Sequence, residues 1–445
     1  MRIDRLTGLL FVLAISAPGA TMLVLGPDTV DDNSPAAEPP AAEDVLSLDS
    51  EALQRLNDYL AQRTPVRQPA IAADALLDRE VFNQSPNPQV TLGAGEWLFL
   101  TEALAQPCMD AADVEAARAD VTDAVKVAAR ADIELLVSIA PEKETVATQR
   151  LGPAAEAARC SRANADLIDS VASATPGLLY PRERLRSLPD TEAYHAQDSH
   201  WTRQGATVWV EAVMERLAPA TLDAAGRTDL PPSRMVQDLS RLIGLPTEVT
   251  EEQRGWTLGA EPVDVPAPDG ALRTTLPAQD AVPGNTVYLH DSFGWAPLPA
   301  LSHLFRDLTN FRLTWAPGSM AVPSELPQPD RVVVLMAQRG VPKVLSEGEL
   351  TPFVAELLAS SLPTGRSGSL ASIPAGADHL RVTTDLPSAT PVDLVTDSGT
   401  VVDRAWSNSG RLVFRLGETD GAARLRGPDG DLPDPVDVIW IDALP

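Results

Sequence analysis

Apolar positions along this chain follow two alternating periods. Over residues 50–63, Leu53, Leu56, Tyr59 and Leu60 share one helical face, and Pro65 ends the pattern. Residues 110–130 repeat it through Val114, Ala117, Val121, Val125 and Ala128. Residues 154–171 and 204–217 also read as helices, the latter through Ala206, Val210, Val213, Met214 and Leu217. Between them stand short apolar runs: Trp97-Leu98-Phe99-Leu100 after Gly93 and Gly95, then 133–140, Leu178-Leu179-Tyr180, Val287-Tyr288-Leu289 and 331–336. The run 133–140 is interrupted only by Glu134 and Ser138, and Pro141 closes it. Arg331-Val332-Val333-Val334-Leu335-Met336 is the clearest of all. Unbroken apolarity of that length is how a strand buried on both faces of a parallel sheet reads. A helix through Leu301, Leu304 and Phe305 is expected after the strand at 287–289. Strands alternating with helices predict an α/β fold with a parallel sheet.

Two regions depart from this pattern. From about residue 366 the runs shorten and alternate, as in Leu380-Arg381-Val382-Thr383, Val392-Asp393-Leu394-Val395, Leu412-Val413-Phe414-Arg415 and Val438-Ile439-Trp440-Ile441. Asp397-Ser398-Gly399 and Pro428-Asp429-Gly430 punctuate them, which predicts a small antiparallel, sandwich-like β domain over 366–445. At the other end, Arg2 and Arg5 precede an apolar run over 7–25, followed by Asp28, Asp31 and Asp32. Such a run spans a bilayer as a helix, and its arginines stay cytoplasmic. Residues 1–26 are therefore expected to be a membrane helix, with a cleaved signal peptide as the other reading. Either reading exports the rest of the chain. Residues 27–47, rich in Pro, Ala, Asp and Glu, read as a flexible linker, and 48–350 as the α/β domain.

The chain has 445 residues, too many for one compact core, and a formal charge of −27. That charge argues against a nucleic-acid partner and repels acidic polymers at long range unless local basic residues offset it. The two cysteines, Cys108 and Cys160, lack zinc-type spacing. In an exported domain such a pair is expected to form a disulfide, with two buried thiols as the alternative.

Two segments carry candidate chemistry. Asp198-Ser199-His200-Trp201-Thr202 places a carboxylate two residues from an imidazole, able to hold Nδ1–H and leave Nε2 free. Read apart, Asp198 is also a plausible turn or cap residue and His200 an ordinary surface side chain. Ser292 follows a short strand and Asp291 and precedes Phe293-Gly294. At a strand's carboxyl end a serine can expose its hydroxyl where ligands of open α/β sheets bind. Helix capping is the bland alternative there. If the segments meet, Ser292 becomes the nucleophile, His200 its base and Asp198 the group orienting the base. Trp201, Arg339 and Lys143 are weaker candidates for substrate contact. A metal reading needs a third ligand, for which His195 is the only local choice, and neither metal nor cofactor is expected.

These segments, with Gly95-Glu96-Trp97-Leu98-Phe99 and Ala140-Pro141-Glu142-Lys143, resemble the AlgJ/AlgX-like polysaccharide O-acetyltransferases, an SGNH-hydrolase-like family, over about residues 50–345. The resemblance implies a flavodoxin-like core and an exported enzyme. A Ser292–His200–Asp198 triad would acetylate a secreted polysaccharide, with a membrane-bound acyltransferase as acetyl donor. One position departs: the family's Gly-Asp-Ser is His290-Asp291-Ser292 here, which puts the local backbone geometry in question. An esterase with the same triad is one rival function. A non-catalytic glycan-binding or assembly protein, which His290 favours, is the other.

Overall fold

The computed structural model describes residues 50–313 except 268 and 269, residues 328–357, most of 366–442, and a few isolated positions before residue 50. The apolar run 7–25 and the linker 27–47 lie almost wholly outside them. Among the described residues no helix is long and apolar enough to cross a membrane.

The described residues form two units by packing. One comprises those up to Val90 together with Asp238–Thr247; the other comprises Thr91–Gln237 and the chain from Glu248 onward. The first contains helices Ser50–Arg63 and Arg67–Glu80 and the short helix Asp238–Leu242.

The second unit is built on a seven-stranded sheet. Its strands are β1 Glu134–Ala140, β2 Leu178–Leu179, β3 Val263–Val265, β4 Ala271–Thr275, β5 Val282–His290, β6 Phe305–Arg312 and β7 Arg331–Ala337, in the spatial order β2-β1-β7-β5-β6-β4-β3. From β2 to β6 all pairs are parallel; β4 and β3 extend the edge antiparallel. The mixed α/β class, with its mostly parallel sheet, is as the periodicity predicts.

Alternation along the strands explains why the runs are apolar throughout. Val332, Val334 and Met336 of β7 join Leu135, Val137 and Ile139 of β1 on one face, beneath helices α1 Ala111–Arg130 and α2 Arg159–Ala174. Val333, Leu335 and Ala337 join Leu136 and Ala140 on the other, against α3 Arg203–Leu217. Ser138, the polar break in β1, accepts the Trp209 indole N–H at 2.7 Å, so its hydroxyl is satisfied within the core.

Caps set the helix starts. Asp110 caps α1 in a reciprocal box with Asp113, and Thr202 caps α3 through Gly205 N at 3.0 Å. One expectation fails. The helix after β5 is only Leu298–Ser302, and Phe305 begins β6 instead of continuing it. Pro297 and Pro299 start a short turn, and Leu308 and Phe311 are then buried as strand residues beside β5. The antiparallel hairpin Gly226–Val236 with Glu248–Thr257 also went unread, because its mostly exposed faces give no apolar signal.

C-terminally, two four-stranded antiparallel sheets enclose Leu380, Val382, Val392, Leu394, Leu412, Phe414 and Leu425. Their antiparallel pairing is what the alternating runs predict. The side chains of Trp406 and Trp440 lie outside the described residues.

Cys108 and Cys160 form a disulfide that ties the segment before α1 to the start of α2 across 52 residues. Closing a loop of that length stabilises by roughly 2–4 kcal/mol, chiefly by restricting the unfolded chain. Replacing both cysteines by serine should lower the urea-unfolding free energy by about that amount and abolish its sensitivity to reductant. An unchanged midpoint would show that the bridge contributes nothing.

Candidate active site

β1, β7 and β5 are neighbours; β1 and β7 end level, Ala337 pairing Ala140, and β5 ends slightly short of them, its His290 pairing Leu335. The segments after these strands therefore leave one edge of the sheet together. They carry Glu142 and Lys143, Gln338 and Arg339, and Ser292.

Asp291 fixes the serine. It caps the 3₁₀ turn Ser292–Trp295, its Oδ1 accepting from Phe293 N at 2.9 Å. Its Oδ2 accepts from Ala337 N at 2.6 Å, which pins the turn to the end of β7. Both carboxylate oxygens are thus occupied by backbone, and Asp291 acts as a clamp.

The histidine arrives from the other side of the cleft. The segment before α3 closes on itself through a bridge between Tyr194 and Trp201. Within it Asp198, only 1% exposed, folds back so that Oδ1 accepts from His200 N at 2.9 Å and lies 2.7 Å from Nδ1. His200 Nε2 then sits 2.8 Å from Ser292 Oγ. A carboxylate at Nδ1 selects the tautomer with its proton there, so Nε2 is the acceptor facing the hydroxyl. The Phe293 ring meets the imidazole edge-to-face at 4.9 Å and restricts its swing.

The structure brings Ser292, His200 and Asp198 together, and gives the weaker candidates different places. Trp201 is a core residue, not a cleft wall: it is 1% exposed, and its Nε1–H donates to Phe293 O at 3.0 Å. Lys143 does not reach the cleft either. It is 2% exposed, and its ammonium donates to the carbonyls of Leu98, Ala196 and Asp198 at 2.6, 2.8 and 2.9 Å, below the Trp97 and Phe99 rings. It therefore staples the histidine segment to the sheet. Arg339 keeps 20% of its side chain exposed, donates to Glu142 Oε1 at 2.6 Å and lies 5.8 Å from the Phe293 ring. Burial works against its charge, but Glu142 and Asp291 outweigh that and raise its pKa. His195 Nε2 lies 3.0 Å from Glu251 Oε1, close but poorly aligned for a hydrogen bond. Glu251 also accepts from Arg203 N at the start of α3.

His290, at the family's glycine position, is fully buried and does not enter the cleft. Its Nδ1 donates to Asp291 O at 2.6 Å, and its ring stacks on Tyr288 at 4.6 Å. Burial holds its pKa below the usual histidine range, which keeps the ring neutral. Room for it comes from Gly294, where a Cβ would stand 2.1 Å from His290 Cγ. The turn that carries Ser292 thus forms with histidine at this position.

Behind the site lies a buried polar network that the sequence reading missed. Gln338 Oε1 accepts from Tyr180 OH at 2.7 Å and from Glu142 N at 3.2 Å, and its amide donates to Ser161 O at 2.9 Å. Ser161 Oγ donates to Glu144 Oε1 at 2.5 Å. Burial first, then the Glu142 charge, push the Glu144 pKa up to about 8. The flanking of Lys143 by Glu142 and Glu144, within an otherwise apolar stretch, was the available signal.

Residues 90–271 match the family described as SGNH hydrolase-like domain, acetyltransferase AlgX. The matched segment holds Asp198 and His200 and ends before Ser292. The resemblance read from the short motifs is thus borne out. Among solved structures, AlgX of Pseudomonas aeruginosa is 15% identical, with 80% of this chain and 94% of that chain covered and a TM-score of 0.49. The O-acetyltransferase domain of Pseudomonas putida AlgJ is 18% identical, covering 61% and 99%, with a TM-score of 0.42. PatB1 of Bacillus cereus is 11% identical, covering 58% and 98%, with a TM-score of 0.40. No curated protein matches this sequence.

Two outcomes follow from this packing. Gly294→Ala alone should cost about 1–3 kcal/mol through overpacking against His290, and His290→Gly in the same chain should restore most of it. Chemical unfolding of the three variants checks the coupling, and purely additive costs would refute it. For Glu144, the unfolded pKa is near the ordinary carboxylate value of 4.5 and the folded one about 8. The folded chain keeps the proton between them, so this contribution is complete below the lower value and lost as pH rises through the upper. Stability should fall by up to about 1.4 kcal/mol per pH unit across that window. Glu144→Gln should remove that component from the pH profile of urea unfolding, and identical slopes would contradict the assignment.

Proposed function

We propose that the protein is an exported O-acetyltransferase that moves acetyl groups onto hydroxyls of a polysaccharide. The observation that carries this reading is the 2.8 Å approach of His200 Nε2 to Ser292 Oγ, with Asp198 at Nδ1. Ser292 Oγ attacks the acetyl carbonyl while its proton passes to Nε2. The tetrahedral intermediate collapses, the donor's leaving group takes that proton, and an acetyl-serine ester remains. An acceptor hydroxyl then gives its proton to Nε2, attacks the ester, and Ser292 is regenerated. The Ser292 backbone N–H, at the head of its 3₁₀ turn, and the Arg339 charge just past the adjacent strand β7 are the groups suited to the oxyanion. Asp198, buried and bonded, keeps the imidazole oriented and stabilises it when charged.

The match of residues 90–271 to an acetyltransferase family supports transfer over other serine chemistry. Export is supported by the Cys108–Cys160 disulfide, which suits an oxidising compartment, and by the arginine-flanked apolar run at the N-terminus. With acetyl-CoA confined to the cytoplasm, a membrane-bound acyltransferase is the expected donor, and the N-terminal run holds the enzyme beside it. His200 retains 23% side-chain exposure, which favours hydrolysis as a competing fate of the acyl-serine.

The test uses a chromogenic acetyl ester with and without a soluble oligosaccharide. Acetyl should appear on the sugar, and peptide mass analysis should find it transiently on Ser292. Ser292→Ala and His200→Ala should each lower the rate about 10³-fold or more, and Asp198→Asn by about 10²–10⁴-fold. Undiminished turnover by Ser292→Ala would end this reading; acetate without acetylated sugar would make the enzyme an esterase.

A further inference from the structure

The aromatic cluster around the relay is buried with one exception. Trp201, Trp209, Tyr194, Tyr288 and Phe293 are each 1% exposed or less, whereas Trp295 is 44% exposed. Trp295 closes the 3₁₀ turn that Ser292 opens. In that helix side chains three apart eclipse one another, separated by about 6 Å along the axis. The indole and the serine hydroxyl therefore lie on one side of the turn. The indole is also braced from below. His290 meets it edge-to-face at 5.1 Å, and His290 in turn is stacked on Tyr288 and bonded to the Asp291 carbonyl.

We propose that Trp295 is the stacking platform for the acceptor sugar, with His290 as its positioning residue. The apolar face of a pyranose ring lies on the indole and presents one hydroxyl to the acetyl-serine. The acceptor oxygen bonds to the ester carbonyl carbon as its proton goes to His200 Nε2. The Ser292 Oγ–carbonyl bond breaks, Oγ takes the proton from Nε2, and the sugar leaves as its acetate ester. Aromatic rings suit this task because they bind the ring's C–H face without competing for its hydroxyls. The proposal rests on the acetyl-transfer reading, and it assigns a purpose to the histidine at the glycine position: a glycine there has no ring with which to hold the indole.

Charge narrows the acceptor. A cleft of 560 Å³ is lined in part by Gln253, whose amide donates to Ala296 O, one residue past the turn, at 3.3 Å. Glu192, Asp229 and Glu252 line it against a single arginine, Arg254. An uncharged chain fits beside those carboxylates, and a polyuronate is repelled by them.

The experiment is calorimetric titration of the full-length protein with two probes, a neutral β-1,4-linked glucose hexamer and a mannuronate hexamer. The wild type should bind the neutral probe more tightly. Trp295→Ala should weaken that binding about tenfold or more, and Trp295→Phe should recover most of it. Equal binding by wild type and Trp295→Ala overturns the platform, as does absence of binding by the wild type or preference for the uronate. Acylation of the wild type by the chromogenic ester separates the two readings. Binding that depends on Trp295, in wild-type protein on which no acetyl-Ser292 ever forms, upholds the platform and removes the transfer chemistry.

Discussion

The hydrogen bond from the Trp201 indole to the Phe293 carbonyl joins the two halves of the site. His200 and Ser292 each stand one residue away from it, on segments separated by 92 positions in the chain. A relay needs its heavy atoms within about 3 Å, and neither segment makes that distance by local structure alone. Trp201 sets it by donating its only polar hydrogen across the gap and burying the rest of its ring against Phe293 and Trp209. A buried hydrogen bond of this kind contributes only about 1 kcal/mol net, but leaving either partner unsatisfied costs more. Specificity of position follows from that asymmetry.

Three charged groups apply the same rule one layer deeper. The Lys143 ammonium, with its three carbonyl acceptors, holds the backbone of Ala196 and Asp198 against Leu98. The Glu142–Arg339 pair joins the segment after β1 to that after β7. Buried charges of this kind add little net stability, because desolvation offsets attraction. Their geometry is nevertheless strict. Loss of either partner leaves an uncompensated charge, so the loops are held to one arrangement.

The sequence was most readable where a single element decided the pattern. Continuous apolar runs marked β1, β5 and β7 because those strands bury both faces, and helical spacing marked α1 and α3 because each buries one. The spacing of Asp198 and His200 was legible because a carboxylate two residues from an imidazole needs only a tight turn to reach it. What failed was decided between elements. Phe305 looked helical until β5 offered it a parallel partner, and the hairpin before β3 has too few buried positions to signal. Lys143 and Trp201 rank as weaker candidates for substrate contact because a charge or an indole beside a motif looks functional; only packing shows where they point. Asp291, read as part of the motif, turned out to have both oxygens engaged by backbone.

His290 carries this lesson further. Taken singly, a histidine in place of a motif glycine argues against a working turn, since glycine there permits close backbone approach. The structure accommodates the ring beside Gly294, whose absent Cβ is the space the imidazole fills. The two positions are one feature and have to be read as a pair. Volume in a close-packed interior is conserved locally, not by position. A substitution four residues from a nucleophile can therefore preserve its geometry, and at the same time alter which side chains stand beside it at the surface.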